Sequence, residues 1–215
     1  MANPEHVAIL KQGVDVWNAW RRNPDTRWPD LRRADLAGAN LRRANLNITL
    51  LDGVDLRGAD LTLVNLVHSQ LRQADLRKVQ LISADLSTAD LSEANLEGAF
   101  LAGVNLRHAT MRKANCSEAL FFSPKTRDID DPGATAVFDI LGADLSWADL
   151  DGAILTNAKI SGVVFGSNDL GNAIGLETIM HSGPSIVDVN TVLQSGDKLP
   201  VAFLRGAGLP DQFIT

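Results

Sequence analysis

A chain of 215 residues with a formal net charge of −6 is long enough for one extended domain. Its single cysteine excludes an intramolecular disulfide. No apolar run reaches the roughly 18 residues of a membrane span. No basic segment leads into an apolar core at the N-terminus, so a secretory signal and a membrane partner are not expected and the default compartment is the cytoplasm.

Residues 3–22, NPEHVAILKQGVDVWNAWRR, read as one helix. Asn3 is a candidate N-cap, with Pro4 in the first turn. Val7, Leu10, Val14 and Trp17 follow spacings of three and four, and Trp20 flanks that stripe. Such a helix is expected to cover the first coil of a repeat that begins at Leu31, because a bare end would expose unpaired strand backbone and invite end-to-end stacking. RRNPDTRWPD (21–30) is a Pro-punctuated turn, which places an N-terminal helical cap at 1–30.

From Leu31 the chain changes period. Large apolar residues recur every five positions at Leu31, Leu36, Leu41 and Leu46, and so on to Met111, Cys116 and Phe121. Two residues before most of them stands a small residue such as Ala34, Ala39, Val54 or Ala74. A helix needs spacings of three and four, and a two-faced strand needs alternation, so neither fits. A solenoid does. The small residue and the leucine point inward, the other three point outward, and four such sides close a coil of twenty residues. Stacked coils would pair as strands do, at roughly 4.8 Å, and no coil is stable without neighbours. Glycines such as Gly53, Gly58, Gly98 and Gly103 fall at the corners, where positive φ is useful. Tyr is absent, aromatics make up 5%, and Ala, Leu and Asp abound, in keeping with this pattern.

FSPKTRDIDDPGATAVFD breaks the repeat, which returns one register away at Leu145, Leu150, Leu155, Ile160, Phe165 and Leu170. Either a loop at 122–142 bulges from a corner, or the coil resumes on another face; a loop is the simpler expectation. Asp128, Asp130 and Asp131 have loose calcium-ligand spacing but lack the glycine and distal glutamate of a calcium loop. The β-helix is therefore expected over 31–170. Residues 171–215 lack the repeat and read as short amphipathic pieces forming a mostly helical or irregular C-terminal cap or linker.

ADLAGANLRRANL, ADLSTADLSEANLEGA and ADLSWADLDGAIL resemble the pentapeptide-repeat family, A(D/N)LXX, over about 31–121 and 143–170. That resemblance implies an all-β solenoid, a right-handed quadrilateral β-helix. Departures are local. Thr49 and Ser69 replace the small apolar residue, and Leu50, Phe100 and Leu120 replace Asp or Asn. EHVAILKQGVDVWNAWR and GLETIMHSGPSIVDVNTVLQSGDKLPVAFLRGAGLPDQFI resemble the opening and the linker of bacterial pentapeptide-repeat proteins that carry a TIR domain. A TIR domain implies NAD hydrolysis in bacterial immunity; no TIR residues stand in this sequence.

Catalytic chemistry is thin. His68 and His108 occupy equivalent outward positions two coils apart, roughly 9.6 Å, too far to share a metal. Serine triads, phosphate loops and paired cysteines are missing from any recognisable context, and Cys116 falls on the inward column as a small buried hydrophobe. No enzyme, cofactor or metal is expected. Function must then lie on the surface. Asp35, Asp55 and Asp75 form one ladder beside Arg57, Arg77 and Lys78. On the sides centred on Leu41 and Leu46 the outward residues include Ile48, Leu63, Val67, Ile82, Phe100, Leu120 and Phe122, an apolar patch that points to a protein–protein contact, unless the loop or the C-terminal segment folds over it. The leading expectation is a rigid scaffold for protein assembly, a dimer or filament able to present an effector. The alternative is a DNA mimic that inhibits or protects DNA gyrase. Residues 31–121 hold eleven Lys/Arg against ten Asp/Glu, whereas a duplex mimic needs dense negative charge along its length. Interleaved charges also argue against nucleic-acid binding.

Overall fold

The structure, a computed structural model, describes residues 1–26, 28–122 and 142–214. Asp128, Asp130 and Asp131 lie outside the described residues, so the calcium-like spacing has no structural counterpart to examine.

The five-residue phrase makes a turn for identifiable reasons. The N–H of the small residue donates to the C=O of the leucine three positions earlier, as from Ala34 to Leu31 and from Ala44 to Leu41, both at 3.0 Å. The residue just before the small one takes positive φ. Glycine fills this place without strain at Gly53 and Gly58, but Arg33 (φ 59), Leu63 (φ 59) and the β-branched Ile48 (φ 53) also occupy it. The Asp or Asn before each leucine closes the other half of the turn. Its Oδ1 accepts the N–H two residues on, at 3.0 Å for Asp30 and Arg32, Asp60 and Thr62, and Asp85 and Ser87.

Each turn then stacks on the one twenty residues away. Parallel bridges join Asp30 to Leu50, Asp35 to Asp55, Asn40 to Asp60 and Asn45 to Asn65, and the same four-fold pattern repeats along the rod. One coil therefore has four sides. The first carries Leu31, Leu51, Leu71, Leu91 and Met111 inward; the second runs from Leu36 to Cys116, the third from Leu41 to Phe121, and the fourth from Leu46 to Leu106. These columns are buried along their length. Cys116 is fully buried, and burial pushes its thiol up to about 12, so it is unreactive packing. Thr49 and Ser69, stacked where the first side begins, two residues before Leu51 and Leu71, are buried too. Their hydroxyls donate to the C=O of Asn47 (3.2 Å) and of Leu66 (2.6 Å), which removes the penalty of an unpaired polar group.

The break in the repeat is absorbed as an insertion. Asn105 bridges to Asp144, Thr110 to Asp149, Asn115 to Ile154 and Leu120 to Lys159. The ladder step there is 39 residues in place of 20. Leu145 thus follows Phe121 in the order of the sides and enters the fourth-side column. Phe121 ends the third side and Leu145 opens the fourth, so the coil does not resume on a different face.

The parallel ladder also continues past Leu170, where the repeat phrase ends. Ile154 bridges to Ile174. Strand β1 (Lys159–Ile160) pairs with β3 (Met180–His181), and β2 (Val164–Phe165) with β4 (Ile186–Val187). Helices α3 (Val189–Ser195) and α4 (Val201–Gly206) come next. Side-chain oxygens end the ladder: Asp188 Oδ1 accepts the Ser167 N–H (3.0 Å), Thr191 Oγ1 that of Asn168 (3.1 Å), and Ser195 Oγ that of Leu170 (2.9 Å).

At the other end the expected single helix over 3–22 is two helices, α1 (Pro4–Lys11) and α2 (Val14–Trp20). They part at Gly13, whose φ of 121 no helix accommodates. Asn3 is the N-cap of α1, accepting the Glu5 N–H at 2.9 Å. Leu10 and Trp17 are buried, and Val7, Val14 and Trp20 pack half-buried against the same core. The pair covers backbone as well as apolar surface. Trp17 Nε1 donates to the Asn45 C=O (2.8 Å), Asn18 Oδ1 accepts the Asn45 N–H (2.7 Å), and His6 Nδ1 accepts that of Asp30 (2.9 Å). All these groups belong to the first and fourth sides. The backbone of Asp35 and Asn40, on the second and third sides, has no hydrogen-bond partner among the described residues, so half of this end is an open edge.

Candidate functional site

The second side is a charge ladder whose members neutralise one another. Arg57 reaches Asp55 at 2.5 Å and Asp75 at 3.6 Å, and Arg77 reaches Asp75 at 2.6 Å. The Arg57 and Arg77 hydrogen bonds hold the Asp55 and Asp75 carboxyls below their ordinary values. Elsewhere Arg72 pairs with Asp90 (2.5 Å), Arg107 with Asp144 (3.1 Å), and Arg112 with both Asp149 (3.2 Å) and Asp151 (2.5 Å). Such exposed pairs are screened by solvent and contribute little to stability. Their larger effect is to cancel the field of the acidic column. A cavity of about 410 Å³ lined by Arg112, Asp149, Asp151 and Asp169 is part of this network. No group of three metal-ligating side chains occurs among the described residues.

The third side differs. Between Leu63 and Phe122 it carries no charged residue. Leu63 is 43% exposed and Phe100 is 40% exposed, while Ile82, Leu120 and Phe122 are half-buried. The Leu63 N–H donates to the Ile82 C=O at 2.9 Å, and Phe100 bridges to Leu120, so these residues are neighbours along one wall. Phe100 and Leu120 stand where the repeat uses Asp or Asn. They have no side-chain oxygen to close the turn, and Ala102 and Phe122 lose that acceptor. At two adjacent rungs the chain forgoes a hydrogen bond typically worth about 1 kcal/mol and places large apolar groups outward instead.

Ile48 and Val67 belong to the fourth side, not to this wall. The Ile48 N–H donates to the Val67 C=O at 2.9 Å, so the two are adjacent and both half-buried. Ile48 also lines a cavity of about 410 Å³ with Arg21, Trp28 and Asn47, where the N-terminal cap meets the coil. Its own column continues through His68, Thr88, His108 and Trp147. Thr88 Oγ1 lies 2.6 Å from His68 Nδ1, and His108 stacks on Trp147 at 5.1 Å and 10°, with the Arg107 guanidinium 4.6 Å from the indole centre. Each histidine is occupied by its own neighbour.

Two exposed apolar residues extend the surface beyond the sequence expectation. Met180, 44% exposed, stacks on Lys159 in the Phe100–Leu120 column, and Trp147 is 47% exposed. Trp147 was legible in principle, since it stands two residues after Leu145 in the restored register. Met180 lies past the last repeat phrase and carries no such signal.

Among known proteins, pentapeptide repeats match this chain in eight copies, over residues 30–66, 55–92, 89–121 and 139–166. A pentapeptide repeat protein from the Arabidopsis thaliana thylakoid lumen is 29% identical, with 46% of this chain and 69% of that chain covered and a TM-score of 0.43. HetL, involved in heterocyst differentiation regulation in the cyanobacterium Nostoc, is 27% identical over 71% of both chains, with a TM-score of 0.29. The plasmid-mediated fluoroquinolone resistance protein QnrB1 is 14% identical over 79% of this chain and 76% of its own, with a TM-score of 0.50, a likeness of fold alone. No curated protein matches. No helix among the described residues is long and apolar enough to cross a membrane. With the repeat profile covering more than half of the residues and the twenty-residue ladder accounting for their pairing, the chain belongs to the pentapeptide-repeat family.

Proposed function

We propose that this chain is a non-catalytic scaffold, right-handed in its coil as the family resemblance implies, that self-associates through its third side. The observation that carries this reading is the pair Phe100 and Leu120, which replace turn-closing Asp or Asn and point outward from adjacent rungs. From Leu63 to Met180 the wall steps through five rungs, roughly 24 Å at the strand spacing. Lys159 is the one charged residue among the described residues of this wall, so it offers little charge pattern to select a foreign partner, and a second copy presents the same largely apolar strip. Two-fold pairing gives a closed dimer, and head-to-tail pairing gives a filament. Effector presentation extends the reading: if a TIR domain is tethered to the rod, as the terminal resemblance implies, association brings its copies together.

The double substitution Leu63→Glu with Ile82→Glu adds two charges to this wall without entering the core. We expect light scattering to show the wild type as a dimer or larger and the variant as a monomer, with superimposable circular dichroism. A wild type that stays monomeric at high micromolar concentration, or a variant that still associates, overturns the proposal.

Gyrase mimicry is the weaker alternative. Its support is the shared fold with QnrB1, and the paired charges of the second side oppose it. Micromolar protein is expected to leave gyrase supercoiling unchanged; potent inhibition that vanishes with added salt would establish the mimic instead.

A further inference from the structure

His181 is the second residue of β3, and its ring is turned into the C-terminal cap. Its centroid lies 5.8 Å from that of the fully buried Phe203, which in turn sits edge-on to Phe165 at 5.5 Å. The ring also presses on the backbone of α4. A Cβ at Gly206 would fall 2.2 Å from His181 Cδ2, so no side chain fits there. Both ring nitrogens are buried, and neither has a hydrogen-bond partner among the described residues.

That environment tolerates a neutral imidazole far better than a charged one. The neutral ring leaves one N–H unpaired; the imidazolium would leave two donors and a full charge unpaired. The ionisable groups on the surrounding elements do not compensate. Lys159 stands on β1, and Glu177 lies in the 3₁₀ turn before β3. Arg205 on α4 is paired with Asp211 at 2.6 Å. None of them bonds the ring. The last carbonyls of α4 are occupied as well: those of Phe203, Leu204 and Arg205 accept from Ala207, Leu209 and Gly208.

We propose that His181 is an acid-sensitive latch, and that its protonation releases α4 from the last rung of the rod. Burial holds the His181 pKa below the ordinary 6.5 while α4 is docked. The undocked state therefore binds the proton more readily. The latch is fully closed above about pH 6.5 and weakens as pH falls from there toward the lowered docked value. Asp188, which caps α3 and ends the ladder, also titrates below its ordinary value and stays ionised through this window. Opening is thus confined to α4 and leaves α3 in place. It would uncover the β3 edge and the aromatic pair beneath, a surface that a strand or an apolar helix can use.

Amide hydrogen exchange on the whole chain tests this, with rates normalised to the intrinsic pH dependence. Between about pH 7.5 and pH 5, amides of residues 203–209 are expected to lose protection, while those of the repeat rungs do not change. His181→Phe keeps a ring of similar size and removes the proton site, and is expected to abolish the difference. Equal protection at both pH values in the wild type, or an unchanged pH effect in His181→Phe, overturns the proposal. Should that variant fold poorly, an NMR titration of His181 in the wild type decides the matter. A midpoint below 6.5 supports the latch, and a midpoint at or above 6.5 removes it.

Discussion

Leu76→Asp is expected to destroy the middle of the rod. Leu76 is fully buried on the second side, between Leu56 and Leu96, which are equally buried. Truncation of a leucine in such a column costs about 2–5 kcal/mol from lost transfer energy and the cavity left behind. The carboxylate adds the cost of burying a charge with no partner, or of neutralising it. Together these approach the whole stability of an ordinary domain, about 5–15 kcal/mol. The neighbouring change Arg77→Gln removes only an exposed, solvent-screened ion pair with Asp75 and should leave the melting temperature nearly unchanged. Thermal unfolding followed by circular dichroism compares them directly. Similar melting shifts for the two would mean that inward and outward positions have been exchanged.

The rod was readable because one local solution recurs. Each leucine meets the same environment twenty residues later, so the period of five exposes the inward column without any knowledge of contacts. The same regularity makes exceptions visible: Thr49, Ser69, Phe100 and Leu120 are conspicuous because their column-mates differ. What the exceptions do was not readable. Thr49 and Ser69 are tolerated through bonds to backbone carbonyls, which no sequence pattern displays. The ends were harder. The apolar stripe of 3–22 crosses Gly13 unbroken, so periodicity alone joined α1 to α2, and only the backbone preference of glycine hinted at the break. Residues 174–187 pair with the rod through backbone, and their buried side chains Leu176 and Ile179 share a core with Phe203 of α4 instead of with another repeat. With no further coil to match, nothing keeps the five-residue phrase there. Met180 and His181 were invisible as surface and latch for that reason.

Trp17→Ala is expected to unfasten the N-terminal cap while leaving most of the rod intact. Trp17 is fully buried, tilted against Trp20 at 5.0 Å and 44°, and its Nε1 donates to the Asn45 C=O at 2.8 Å. Removing a buried tryptophan costs about 3–5 kcal/mol, and the orphaned carbonyl adds to it. In a solenoid that loss is not shared evenly. Each rung is stabilised by its neighbours, so damage to the cap frays the first rungs and decays along the coil. The second and third sides of this end already lack hydrogen-bond partners for the Asp35 and Asn40 backbone among the described residues. Loss of the cap would bare Asp30 and Asn45 as well and complete an open four-sided edge, a template for end-to-end stacking. Hydrogen exchange should therefore show lost protection in rungs 30–50 and native protection beyond about Leu91, and size-exclusion chromatography should show new, concentration-dependent oligomers. Trp17→Phe keeps most of the packing and loses only the indole donor, and should cost about 1 kcal/mol. Native protection at Leu31 and Leu46 in Trp17→Ala would show that the first rung stands without its helices, and that the cap serves some purpose other than closing the coil.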